Sequence, residues 1–183
     1  MSEEKLIETT VSSKSIYDGF ILHVKEDDIM LPNGKPAKRE IIRHIGAVCV
    51  VPVTENKEVI VERQFRYPIN QVITEIPAGK LDSKDEDRLE AAKRELREET
   101  GYVADEWTDI GIYYPAAAYS DEKITMYMAK GLHKGEQELD DDEFLDVKSV
   151  PVKELLDMVM TGEITDGKTQ VAILKVANIL GVR

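Results

Sequence analysis

Residues 79–102 read GKLDSKDEDRLEAAKRELREETGY, and the second half of this stretch has the composition of a helix. Arg88 to Thr100 are mostly strong helix formers, Ser83 and Glu86 stand ahead of them in capping-box spacing, and Gly101 supplies a stop. At about 3.6 residues per turn, Leu89, Ala92 and Leu96 form one apolar stripe. Glu95 and Glu99 lie one turn apart along the edge of that stripe, with Glu98 beside them, so these acids border the core. Like charges at this spacing repel by roughly 0.2–0.5 kcal/mol per pair on an isolated helix. Glu90 and Arg94 make a favourably ordered i,i+4 pair, which leaves Glu95 and Glu99 unassigned. A hard divalent cation such as Mg²⁺, which takes carboxylate oxygens and water, would satisfy both. The rival reading is the ordinary fate of an acidic run, a solvated face laced with surface ion pairs.

The full word favours the first reading. It resembles the signature of the Nudix hydrolases: Gly, five residues, Glu, seven residues, then Arg-Glu-aliphatic-x-Glu-Glu-x-Gly-aliphatic. Arg94-Glu95-Leu96-Arg97-Glu98-Glu99-Thr100-Gly101 fits the core of that pattern, with Glu86 seven residues ahead of Arg94. Two departures stand out. Six residues separate Gly79 from Glu86, and Tyr102 replaces the final aliphatic. Placing Asp85 in the acidic role is the alternative register, but a loop absorbs an extra residue more easily than a helix does.

With 183 residues, 42% hydrophobic and 33% charged, the chain suits one well-buried globular domain with a small appendage. A formal net charge of −12 argues against coating nucleic acid or anionic membrane, because no basic stripe is present to neutralise phosphates. The single cysteine, Cys49, sits in the apolar run AVCVVPV and reads as a buried structural thiol, which suits a reducing, cytoplasmic setting. The opening MSEEKLIETT lacks the basic and apolar regions of a signal peptide, and no stretch approaches a membrane span.

Residues 7–45 read as three short strands, punctuated at Asp18-Gly19 and Asn33-Gly34, that make a small antiparallel sheet with little core of its own. His23 and His44 occur singly there and read as packing or surface residues. From Gly46 the texture changes: AVCVVPV and EVIVERQFRY flank a polar turn and begin the main sheet. VITEIPAGKL reads as one strand leading into the signature; WTDIGIYY, KITMYMAKGL and FLDVKSV read as three more. Residues 152–160 and 168–180 are amphipathic helices, the second capped by Thr165 or Asp166 and ended by Gly181. Met158 and Met160 read as core filler.

The resemblance implies an α/β/α sandwich, an α+β Nudix fold with a mixed sheet between helices, over residues 46–183. The small N-terminal antiparallel β-sheet, residues 1–45, is added to it. Glu95 and Glu99 become the principal ligands of Mg²⁺ or Mn²⁺, with Glu98 assisting and the backbone carbonyl of Ala78 a further contact. Arg94 and Glu86 then orient the loop. The words Arg-Gln-Phe-Arg (63–66), Glu-Ile-Pro-Ala-Gly-Lys-Leu (75–81) and Ser-Asp-Glu (120–122) look like the ADP-ribose pyrophosphatase branch, which forms AMP and ribose 5-phosphate. That likeness implies a homodimer whose N-terminal sheets cross between subunits. It gives Arg63 and Arg66 to phosphate or terminal ribose, and Glu75 to a sugar hydroxyl. The branch usually has a proline at the place of Ala117, where this chain has Pro115 instead. The catalytic base is expected in the run Asp140 to Glu143, with Glu143 preferred and Glu98 as rival. Another nucleoside diphosphate derivative, such as a nucleotide sugar, is the alternative substrate, and a non-catalytic nucleotide-binding module is the third reading.

Overall fold

The computed structural model describes residues 2–139 and 143–183. The chain resolves into two compact units, one made of the described part of 1–45 with Tyr114–Lys123, the other of Gly46–Tyr113 with Ile124–Arg183.

In the first unit β1 (Thr9–Asp18), β2 (His23–Met30) and β3 (Pro36–Arg43) form an antiparallel meander. Gly34 turns the second hairpin at φ +78°, where a side chain would be strained. The segment 114–123 is stitched to β3: Ile42 N–H donates to Tyr119 O (2.7 Å) and Asp121 N–H to Ile42 O (3.2 Å). Asp121 also accepts from Arg43 (3.1 Å) and from His44 N–H (2.8 Å). Every residue of β1 is exposed, including Val11, Ile16 and Tyr17.

The second unit holds two sheets. β4 (Ala47–Pro52), β7 (Ala78–Lys80), β8 (Tyr102–Tyr113) and β9 (Ile124–Lys134) form a four-stranded mixed sheet in the order β7-β4-β9-β8, with β4 and β9 parallel. β5 (Glu58–Arg66), β6 (Gln71–Glu75) and β10 (Leu145–Pro151) form an antiparallel sheet with β5 central. AVCVVPV and EVIVERQFRY, adjacent in sequence, therefore go to different sheets. VITEIPAGKL likewise is two strands, because Pro77 has no N–H for a ladder and the chain changes sheet there.

Three helices cover the mixed sheet: α1 (Arg88–Thr100), α2 (Val152–Thr161) and α3 (Gly167–Ile179). One core cluster joins Ala47, Cys49, Val51 and Val53 to Leu155, Ala172, Ile173 and Val176. Side chains alternate along a strand, so the equally buried Val48 and Val50 face the other way. On that face α1, which packs on β4, brings buried Ala91, Ala92 and Leu96. The sheet is thereby sandwiched. Of the methionines read as core filler, Met158 packs on the core, but Met160 is 72% exposed, since it falls on the outer face of α2.

Candidate active site

The helix start differs from the capping box expected at Ser83 and Glu86. Asp87 is the cap: its carboxylate accepts from Leu89 N–H (2.9 Å) and Glu90 N–H (3.1 Å). Glu86 is instead drawn inward, where it accepts from Asp82 N–H (2.6 Å) and from Arg94 Nε (3.3 Å). Asp85 takes no such part. The anticipated Glu90–Arg94 pair also gives way, because Lys93 takes Glu90 at 2.7 Å while Arg94 turns to the site. There Arg94 Nη1 lies 2.8 Å from Glu95 Oε1 and 3.1 Å from Glu98 Oε2, and Nη2 donates to Lys80 O at 3.4 Å.

Glu95 and Glu99 are buried, 8% and 4% exposed, against the strand that leads into the helix. Glu99 Oε2 accepts from Ala78 N–H at 2.9 Å. The next residue explains the glycine of the pattern, since a Cβ on Gly79 would fall inside the Glu95 carboxylate. Burial pushes the Glu95 carboxyl up to about 7 despite the Arg94 charge beside it. Glu99 goes up to about 10, through burial first and then through the charges of Glu62 and Glu95. Arg94 stays protonated: burial works against its charge, but Glu95, Glu86 and Glu98 outweigh it. The helix end is held by the segment after β9. Gly135 N–H donates to Gly101 O (2.6 Å) and Glu138 N–H to Glu98 O (3.0 Å), while the Gln137 amide meets Glu99 O and Arg97 pairs with Glu138.

On the second sheet, Arg66 grips Glu75 with two bonds, Nε–Oε1 at 2.6 Å and Nη2–Oε2 at 3.0 Å, and Lys168 adds a third contact to Oε2. Glu75 is 1% exposed, so both its oxygens are engaged within the protein. Arg63 is more open, with Asp146 at 3.8 Å. Arg63 and Glu143 come together on one open cavity of about 430 Å³, lined also by Phe65, Val72, Leu139 and Phe144. Asp140, Asp141 and Asp142, named with Glu143 as candidate bases, lie outside the described residues.

Comparison with known proteins places the whole chain in a family. Residues 43–169 match the family described as NUDIX domain, and residues 8–42 match the nucleoside diphosphate sugar hydrolase N-terminal domain. The chain belongs to the Nudix family. It is 41% identical over 172 residues to the ADP-ribose pyrophosphatase of Bacillus subtilis (strain 168), covering 93% of this chain and 92% of that one. It is 40% identical over 168 residues to the methanol dehydrogenase activator of Bacillus methanolicus, covering 91% and 90%. The solved structure of an ADP compounds hydrolase superposes with a TM-score of 0.85 at 23% identity, over 95% of this chain and 94% of that chain, which supports the Nudix fold. The chain is thus a Nudix hydrolase.

Nudix hydrolases generally need a divalent metal, and the donor chemistry here suits one. Among the described residues no three His, Cys, Asp or Glu side chains converge as a finished cage. Even so, Glu95, Glu98 and Glu99 offer carboxylate oxygens on one helix, and the acids around them oppose one another's ionisation, which is the electrostatic setting a hard cation relieves. Sequence reasoning passed over one further buried acid. Glu62, opposite Glu75 in the β5–β6 ladder, is 1% exposed, and its Oε2 has no hydrogen-bond partner among the described residues. Burial and then the Glu75 charge push its carboxyl up to about 8. The signal was a charge ending the apolar run Val59-Ile60-Val61, where a residue facing water is the usual expectation.

Proposed function

We propose that this Nudix hydrolase cleaves the diphosphate of ADP-ribose to AMP and ribose 5-phosphate. The observation that carries the reading is the 41% identity to the Bacillus subtilis ADP-ribose pyrophosphatase, sustained over 92% of that protein and so through both the N-terminal sheet and the catalytic domain.

The chemistry is the attack of water on a phosphorus, with the bridging P–O bond breaking and the water's proton leaving to a base. A diphosphate repels its own nucleophile, so the site must supply positive charge and a proton acceptor. Mg²⁺, or Mn²⁺ in its place, held by Glu95, Glu98, Glu99 and the Ala78 carbonyl, would neutralise phosphate charge and acidify water. The protein's own groups do the rest. Arg94, pinned between Glu86 and the helix acids, holds the entering loop against α1. Arg63 and Arg66 meet phosphate or ribose from the end of β5, with Glu75 fixing the fork of Arg66 and thereby its approach to the sugar phosphate. A Glu143 carboxylate oxygen takes the proton, with Glu98 as the rival acceptor.

Residues 1–45 form a dimerisation sheet in this proposal, and 46–183 form the hydrolase domain. The support is the exposed apolar set of the first unit, Val11, Ile16, Tyr17, Phe20, Ile21 and Leu22, a surface that asks to be covered. Exchange of these sheets between two subunits would cover it. A cytoplasmic location suits the single buried thiol; among the described residues no helix is long and apolar enough to cross a membrane.

A nucleotide sugar is the second substrate reading, favoured by the match of residues 8–42 to the N-terminal domain of nucleoside diphosphate sugar hydrolases. Initial rates with Mg²⁺ on ADP-ribose, GDP-mannose, NADH and a nucleoside triphosphate separate the two. ADP-ribose is expected to be turned over fastest, yielding AMP; a faster GDP-mannose rate, or no turnover of ADP-ribose, rejects the first reading.

A further inference from the structure

Lys168 stands where neither its helix nor its burial favours a cation. It is the second residue of α3, at the positive end of the helix dipole, and it is only 9% exposed. Burial works against its charge, but Asp166 and Glu75 outweigh it and hold the ammonium protonated. A residue that goes against two local preferences at once is there for a partner.

That partner is Glu75. Lys168 Nζ meets Glu75 Oε2 and also reaches Asp166 Oδ2 at 3.0 Å, and Asp166 is the cap of α3, accepting from Thr169 N–H at 2.9 Å. Fastening the helix to the strand does not require this ion pair. Thr169 already does so, since its hydroxyl donates to Asp166 at 2.6 Å and accepts from Ile76 N–H at 3.0 Å. What Lys168 adds is a second hold on the Glu75 carboxylate, whose other partner is Arg66.

Arg66 takes that carboxylate with one edge of its guanidinium, Nε at 2.6 Å and Nη2 at 3.0 Å, while Nη1 donates to nothing among the described residues. The Arg66 side chain is 39% exposed, so part of the fork is left for a ligand. A carboxylate held by one cation swings with it; held by two, one on a strand and one on a helix, it is fixed, and so is the direction of the guanidinium bonded to it. We infer that Lys168 is a positioning residue of this hydrolase: through Glu75 it fixes the direction of the free edge of Arg66, and so ties substrate affinity to the seating of the start of α3 beside β6. The inference rests on the reading of Arg66 as a substrate-binding residue.

The test is a double-mutant cycle. Lys168→Met keeps the stem and removes the charge, and each acid left behind keeps another partner, Glu75 in Arg66 and Asp166 in Thr169. Initial rates are measured with saturating Mg²⁺ on whichever of ADP-ribose, GDP-mannose, NADH and a nucleoside triphosphate is turned over fastest, for the unmodified protein, Lys168→Met, Arg66→Ala and the double variant, with a melting curve for each. Lys168→Met should raise KM at least about fivefold and keep kcat within about threefold, the mark of lost binding that ground state and transition state share. In the Arg66→Ala background the same change should raise KM by no more than about twofold further, because a residue that acts only through Arg66 then has nothing left to position. A smaller rise in the single variant, a larger fall in kcat, or a comparable rise in both backgrounds overturns the inference. A lysine serving stability alone would lower the melting temperature and act alike in both backgrounds. If Arg66→Ala itself leaves KM within about twofold, the reading of Arg66 fails and takes the inference with it; if Arg66→Ala raises KM and Lys168→Met does not, the inference fails alone. Should Lys168→Met not fold, Lys168→Gln is judged by the same cycle.

Discussion

At the scale of single residues, the site depends on close approach. Gly79 lies so near the Glu95 carboxylate that any Cβ displaces it, so Gly79→Ala should reduce turnover by about a hundredfold or more while the protein still melts cooperatively. Retention of full turnover would show that Glu95 has room the structure does not give it. Glu95→Gln and Glu99→Gln should each lower kcat by at least about a hundredfold, within the range for losing a group that acts on developing charge or proton transfer. Cys49 makes the contrasting case. It is fully buried and its thiol is pushed up to about 12 by desolvation, so a thiol reagent at pH 8 should label it only as fast as the protein opens. Rapid labelling of native protein would contradict that burial. Both Cys49 and the helix acids were legible in the sequence, because an apolar run and an i,i+4 spacing are local facts. Glu62 was not, since what makes it unusual is its burial opposite Glu75 of β6, which no local window contains.

At the scale of elements, α1 is fixed at both ends by groups outside the helical run. Asp87 satisfies two of the amide donors at its start, and the segment after β9 closes on carbonyls at its finish. Asp87→Ala should lower stability by about 1 kcal/mol, the usual worth of an N-cap, with the melting temperature as the readout. An unchanged melting temperature would mean that α1 is held by its packing alone. The sequence put the cap four residues early, at Ser83, because Ser-x-x-Glu fits the box; the structure prefers Asp87 because Glu86 is taken by Arg94. Strand positions were readable from β-branched runs, whereas sheet membership was not. β4 pairs with β9, more than seventy residues away, and β5 with β10, and such pairings are decided by tertiary packing. Residues 115–122 illustrate the same point, for they read as a loop between the strands WTDIGIYY and KITMYMAKGL, yet the whole of Tyr114–Lys123 groups with the N-terminal meander.

At the scale of the whole molecule, the raised acids set the response to pH. Glu95, Glu62 and Glu99 have native pKa values of about 7, about 8 and about 10 against an ordinary 4.5, so the native metal-free protein binds more protons than the unfolded chain above that value. Stability contributed by these groups is complete below about pH 4.5 and is lost as pH rises through 7 and 8. In chelator, the melting temperature should therefore fall between pH 5 and pH 8, and added Mg²⁺ should raise it more at pH 8 than at pH 5. A melting temperature independent of pH across that window would mean the acids are compensated in some other way. The two-residue passage Ile76-Pro77 gives the molecule a further property. It is the only stretch between β6 in one sheet and β7 in the other, with Ile76 N–H on Thr169 and Pro77 O on Val50 N–H. Changes of length there would slide one half of the catalytic pocket past the other, whereas the loop 82–87 can grow or shrink on the surface. In an alignment of descendants of this fold, gaps should therefore collect in the loop and be missing from the seam.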